Sequence, residues 1–154
     1  HRDERIGNGK LLELEIITMH TAPLPTGTMI LAKGERMAGT DQIDVTFHGV
    51  GGHGSTPHLA IDPVLMAASA IVQYQFIVSR AIDAQKAAVL TVGSVQAGTD
   101  NNVIPSSALL KINLRWFDEK DRKLMIDAIK RINDSIAMAY GLPKEKYPTM
   151  KQKG

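Results

Sequence analysis

The chain is 154 residues long, 44% apolar and 22% charged, with a formal net charge of +2 and no cysteine. This composition fits one globular domain, or one domain with an extra arm, and excludes a disordered chain. The small charge, with no basic stripe interleaved with aromatics, argues against nucleic-acid binding. The lack of cysteine excludes a disulfide framework, a thiol nucleophile and a thiolate zinc site.

No apolar run reaches the roughly 20 residues that span a bilayer, and no signal peptide is visible. A cytoplasmic protein with no membrane or nucleic-acid partner is therefore expected. The chain opens at His1 without a methionine, so it is read as part of something longer. Residues 1–19 pass from polar to apolar, and residues 11–17 (LLELEII) suit either a short helix or a strand. His20 leads into Pro23-Leu24-Pro25-Thr26-Gly27, an extended or turned connector, since proline disfavours helix at and before itself. Thr28 to Ala32 is a short strand candidate.

From Asp41 the pattern sharpens. Ile43, Val45 and Phe47 alternate with Asp44, Thr46 and His48, which predicts a strand with one buried face. The loop Gly51-Gly52-His53-Gly54-Ser55-Thr56-Pro57-His58 follows. Ile61, Val64, Leu65, Ala68, Ile71, Val72 and Phe76 then recur at helical spacing. Asp62-Pro63 stands at the helix start, where proline costs no helical hydrogen bond. Residues 88–95 (AVLTVGSV) predict a second strand, and Gly98 to Asn102 a turn. In the third strand Leu110, Ile112, Leu114 and Trp116 face one way, and Lys111, Asn113 and Arg115 the other. Asp118 is the expected N-cap of a second helix, with Asp121 in a capping-box-like position. Gly141 and Pro143 end that helix. Tyr147 to Gln152 is either an edge strand or an exit linker.

The order is β-α-β-β-α-β. A mostly antiparallel sheet with two helices on one face makes a ferredoxin-like two-layer α/β (α+β) sandwich. Three segments are expected: an arm over 1–40, a domain over 41–142 and an exit segment over 143–154.

The candidate chemistry is sparse. His53 between glycines is either a locally bonded loop histidine or one delivered to a partner that the glycines let come close. His58, at the entry to a helix, suits a packing or capping role. His20 is a possible metal ligand, but one histidine is no metal site. Arg115 is either a solvated charge or a carboxylate anchor through its planar fork. Asn102 is either a turn former or a hydrogen-bond donor to a ligand. His48, on the polar side of its strand, is expected to be exposed. The residues alone describe a small α/β module with a polar, histidine-bearing face.

HGVGGHGSTPHLAIDPV, LTVGSVQAGTDNNVIPSSALLKINLRWFD and RINDSIAMAYGLP, in this order, resemble the lid or dimerisation domain of the M20 metallopeptidases. The subgroup it is most similar to contains the amidohydrolases of N-acyl amino acids, hippurate-like compounds and amino-acid conjugates of indole-acetic acid. The resemblance runs from about His20 to the C-terminus and implies the same ferredoxin-like lid. It implies that His20 ligates one of two divalent metal ions, zinc or else manganese or cobalt, where the lid meets a catalytic domain. It implies that His53 reaches the neighbouring subunit's active site and contacts the substrate carbonyl, an oxyanion-hole role. Asn102 would bind substrate in the same composite site, Arg115 would grip its free carboxylate, and His58 would support the loop.

The family's other metal ligands and its paired glutamates have no counterpart here, Asp3-Glu4 included. The expectation is a homodimerising lid whose full-length parent cleaves N-acyl amino acids or small peptide-like substrates. The isolated chain would bind no metal and be inactive. The alternative is a standalone dimerisation or ligand-binding module with the same fold and no catalysis.

Overall fold

Regular structure follows the apolar alternation. The computed structural model describes residues 4–5, 11–12, 23–30 and 37–153. The chain divides into two compact units, His1–Lys33 and Gly34–Gly154. In the first, Glu4–Arg5 and Leu11–Leu12 pair antiparallel, so the described start of the LLELEII run takes the strand alternative. Thr28 N–H donates to the Pro25 carbonyl at 3.0 Å. Gly27, at φ 84°, supplies the left-handed backbone that such a turn requires. Residues 28–30 form no strand, unlike the expectation for Thr28 to Ala32. The turn takes the Thr28 amide that a strand neighbour would need, and Leu31 and Ala32 lie outside the described residues.

Among the described residues the second unit carries six strands and two α-helices. The strands are β1 (Gly39–His48), β2 (Gly52–His53), β3 (Val89–Ala97), β4 (Val103–Ile104), β5 (Ser107–Trp116) and β6 (Thr149–Lys153). The helices are α1 (Pro63–Phe76) and α2 (Glu119–Ala139). The main sheet has the order β3-β5-β1-β6 with antiparallel neighbours throughout. β1 and β3 therefore run parallel with β5 between them, the split β-α-β arrangement of a ferredoxin-like sandwich. The final run is a true edge strand, with Val45 opposite Met150.

Local chemistry sets the helix ends. Asp62 caps α1 by accepting from Val64 N–H at 2.8 Å and Leu65 N–H at 3.4 Å, with Pro63 in the first turn. Asp118 caps α2 by accepting from Lys120 N–H at 2.8 Å. Asp121 pairs with Lys86 instead of closing a capping box. Gly141, at φ 71°, ends α2. There Leu142 N–H donates to Ala137 and Gly141 N–H to Met138, both at 3.0 Å, which is a Schellman stop.

Both helices cover one sheet face. Ile43, Val45, Phe47, Leu110, Ile112 and Leu114 pack there against Met66, Ala70 and Tyr74 of α1 and Met125, Ile129 and Ile136 of α2. The other face carries Gln42, Asp44 and Thr46 of β1 and Lys111, Asn113 and Arg115 of β5, each half-buried or exposed.

Pro63–Ala81 departs from the expectation that no segment is long and apolar enough for a bilayer. α1 continues into a π-helical turn, Ile77–Ala81. Together they make 19 residues with a window of mean hydropathy 1.3, enough by length and composition. Helical continuity, which a count of unbroken apolar residues does not register, joins these residues. One side of the segment lies in the core through Met66, Ala70, Tyr74 and Ile77. Leu65, Val72 and Phe76 are exposed.

Candidate functional site

At one end of the main sheet the loops after β1 and β3 are tied together. Gly49 N–H donates to the Ser106 carbonyl at 2.8 Å, and Val50 and Ile61 exchange hydrogen bonds of 2.9 and 3.0 Å. β2 then pairs with β4, placing His53 opposite Val103 and Gly52 opposite Ile104. Gly54 N–H donates to the Asn102 carbonyl at 2.7 Å. Two candidates far apart in sequence thus come close: His53 ends β2, and Asn102 lies in the turn just before β4, its carbonyl bonded to the amide that follows His53; both residues are exposed.

The close approach that the glycines permit is to the chain's own backbone. A Cβ on Gly54 would stand 3.1 Å from the Asn102 carbonyl oxygen, and one on Gly51 3.0 Å from that of Ile104. One on Gly49 would collide with the Ile61 carbonyl and the Pro63 ring. Missing side chains are what let the two loops lie flat on each other.

The His53 ring is held from its own turn. Its Nδ1 accepts from Ser55 N–H at 3.1 Å and lies 2.8 Å from Ser55 Oγ. Its carbonyl accepts from Thr56 N–H at 2.9 Å and Thr56 Oγ1 at 3.3 Å. Ser55 was not among the sequence candidates. The signal was a hydroxyl two residues after a histidine, close enough to bond its ring locally. His58 is exposed on the 3₁₀ turn Pro57–Leu59. His48 is half-buried rather than exposed, because its Nε2 meets Thr149 Oγ1 of β6 at 3.1 Å.

Arg115 stands apart from this pair. It lies opposite Thr40 and Val89, eight residues along β5 from Ser107, or on the order of 27 Å at ~3.4 Å per residue. Its Nε donates to Asn113 Oδ1 at 3.0 Å, and Asn113 Nδ2 in turn donates to Thr40 Oγ1 at 3.1 Å. Among the described residues the two terminal guanidinium nitrogens of Arg115 take no partner. That leaves a braced fork suited to a bidentate carboxylate.

His20 lies outside the described residues. Among the described residues no three His, Asp, Glu or Cys side chains gather where a metal ion would sit.

Among the described residues the sandwich has an exposed histidine loop, a sheet edge at β3 and a solvent-facing apolar stripe on α1, features of the class of domains that meet other chains. Residues 38–140 match the profile of the peptidase dimerisation domain, M20_dimer, and the chain belongs to that family. It is 37% identical over 131 residues to N-acetylcysteine deacetylase of Bacillus subtilis, covering 84% of this chain and 34% of that protein. It is 42% identical over 109 residues to the hippurate hydrolase of Campylobacter jejuni, covering 71% and 28%. Its fold matches the solved aminobenzoyl-glutamate utilization protein of Klebsiella pneumoniae with a TM-score of 0.60 and 30% identity, over 76% of this chain and 28% of that one. The chain therefore spans about a third of the length of the curated relatives it matches.

Proposed function

We propose that this chain is the dimerisation lid of a metal-dependent amidohydrolase that cleaves the amide bond of N-acyl amino acids. The observation that carries the reading is the ladder that sets His53 beside Asn102 on an exposed tip. The family membership and the deacetylase and hydrolase relatives support it. In this reading His53 Nε2 donates to the substrate carbonyl oxygen, which takes on negative charge as the amide is attacked. A donor placed for that charge stabilises the transition state more than the ground state. Asn102 orients the acyl amide, His58 supports the loop, and Arg115 binds the free carboxylate.

The separation of Arg115 from His53 suits two subunits better than one. β3 is an edge of the sheet, and two-fold pairing of β3 with its own copy runs the strands antiparallel. The His53 end of one subunit then lies beside the Arg115 end of the other. Leu65, Val72 and Phe76 of α1, and Val89 and Val95 of β3, are exposed and supply apolar surface for such a homodimer. Two divalent metals, zinc or else manganese or cobalt, would be held by other parts of the full-length protein with His20 as one ligand. The chain by itself would bind none and be inactive. We place the parent in the cytoplasm, which fractionation of cells producing the native protein would check.

The test mixes two inactive forms of the full-length enzyme, His53→Ala and His20→Ala. His53→Ala alone should lower kcat by ~10²–10³ with little change in KM, the usual cost of one oxyanion donor. Mixed subunits should recover part of the activity, because one composite site in each heterodimer keeps both intact halves. Subunit exchange demonstrated directly, with no recovery, would sink the assignment of His53 to the partner's site.

A further inference from the structure

The two contacts from Ser55 decide which nitrogen of His53 carries its proton. A backbone N–H can only donate, so Nδ1, 3.1 Å from Ser55 N, is an acceptor. The Ser55 hydroxyl, 2.8 Å from the same nitrogen, is then a second donor. The single proton of the neutral ring therefore sits on Nε2. The ring's rotation is held as well. Turned over about Cβ–Cγ, the ring would bring a carbon to each Ser55 donor and put Cε1 where Nε2 now stands. The main chain around it is fixed by Thr56 on the His53 carbonyl and by Asn102 on the Gly54 amide, at 2.9 and 2.7 Å.

We propose that Ser55 is a positioning residue. It locks the His53 imidazole in the Nε2–H tautomer and in one rotation, so that a proton is always presented outward. This rests on the reading of His53 as the carbonyl donor, and it adds the group that keeps the donor loaded and aimed. The backbone N–H survives any substitution except proline, so the side chain's own share can be isolated by removing the hydroxyl alone.

Two measurements test this. In nitrogen-15 NMR spectra of the labelled chain, His53 should show an unprotonated Nδ1 and a protonated Nε2. Ser55→Ala should shift both signals toward a tautomer mixture, and Ser55→Thr, which keeps the hydroxyl, should restore them. In the full-length enzyme Ser55→Ala should lower kcat about three- to tenfold at nearly constant KM, the scale of one hydrogen bond. Ser55→Thr should recover part of that loss. On a His53→Ala background Ser55→Ala should cost nothing further, because the ring it positions is gone.

An equal loss on both backgrounds would overturn the proposal, as would a proton found on Nδ1 in the unsubstituted chain. If His53→Ala keeps full activity, the donor reading fails by itself. The spectrum of Ser55→Ala then judges the positioning role alone, and unchanged nitrogen signals would overturn it.

Discussion

Asp41 shows how much one side chain organises. It lies in phase with Ile43, Val45 and Phe47, on the helix-covered face of β1, and is buried. Its carboxylate accepts from Arg122 Nε at 2.7 Å and Nη2 at 2.9 Å, from Trp116 Nε1 at 2.7 Å and from Gln152 Nε2 at 2.5 Å. One carboxylate thus ties β1, β5, α2 and β6. Arg122 also stands over the Trp116 ring, 5.5 Å from its centroid. A Cβ on Gly39 would strike that ring. The Arg122 hydrogen bonds, with help from Trp116 and Gln152, outweigh burial and hold the Asp41 carboxyl below its ordinary value of 3.8. A group lowered in the folded state stabilises fully above its unfolded pKa and loses that contribution as pH falls through its folded pKa. Asp41→Asn should therefore cost about 1.5–3 kcal/mol at neutral pH, the worth of hydrogen bonds to a charged group. It should also flatten the loss of stability below about pH 4, where an unperturbed Asp takes its proton. Denaturant unfolding at several pH values checks both, and a parallel shift of the whole curve would disprove the linkage.

Between elements, one polar contact links the two helices inside the apolar layer. The Tyr74 hydroxyl of α1 donates to Asn133 Oδ1 of α2, and both residues are buried. Burial pushes the Tyr74 phenol well above its usual range, so it stays a neutral donor. Tyr74→Phe leaves a buried amide oxygen without that donor and should destabilise by about 1–3 kcal/mol. Adding Asn133→Leu should return part of this, because removing both partners avoids the unsatisfied group. Urea unfolding of the single and double variants measures it. A double variant as unstable as the sum of the two single changes would show that the pair is not coupled.

At the scale of the whole molecule the sandwich has a helix-covered face that is not fully apolar-satisfied. Val72, at 73% exposure, stands outermost in the α1 stripe, and β3 is an edge of the main sheet among the described residues. Stripes and edges of this kind are where another chain docks. Val72→Glu touches no core residue, so it should leave circular dichroism and Tm nearly unchanged. Placed in the proposed dimer face, the charge should shift the full-length enzyme toward monomer in light scattering behind size exclusion. It should lower activity together with the dimer fraction. A variant that stays dimeric would move the interface elsewhere.

The sequence by itself determined the strand and helix periods, the helix start at Asp62-Pro63, the cap at Asp118, the stop at Gly141, and the placing of the His53 loop between β1 and α1. Each depends on residues a few positions apart, which obey local backbone and hydrogen-bond rules wherever they occur. The resemblance of the motifs to the M20 lid extended that reading to the family. Tertiary structure alone decided what stands beside what. The long β1–β5 ladder sets the register that brings His53 next to Asn102 and carries Arg115 to the far end of the sheet. It also put Asp41 within reach of Arg122, although an acidic residue in phase with the core was already a sign of a buried partner. The same ladder turned the glycines of the loop toward the chain's own backbone. Pairings of this kind arise from long-range register and loop closure, and neither leaves a periodic mark in the sequence.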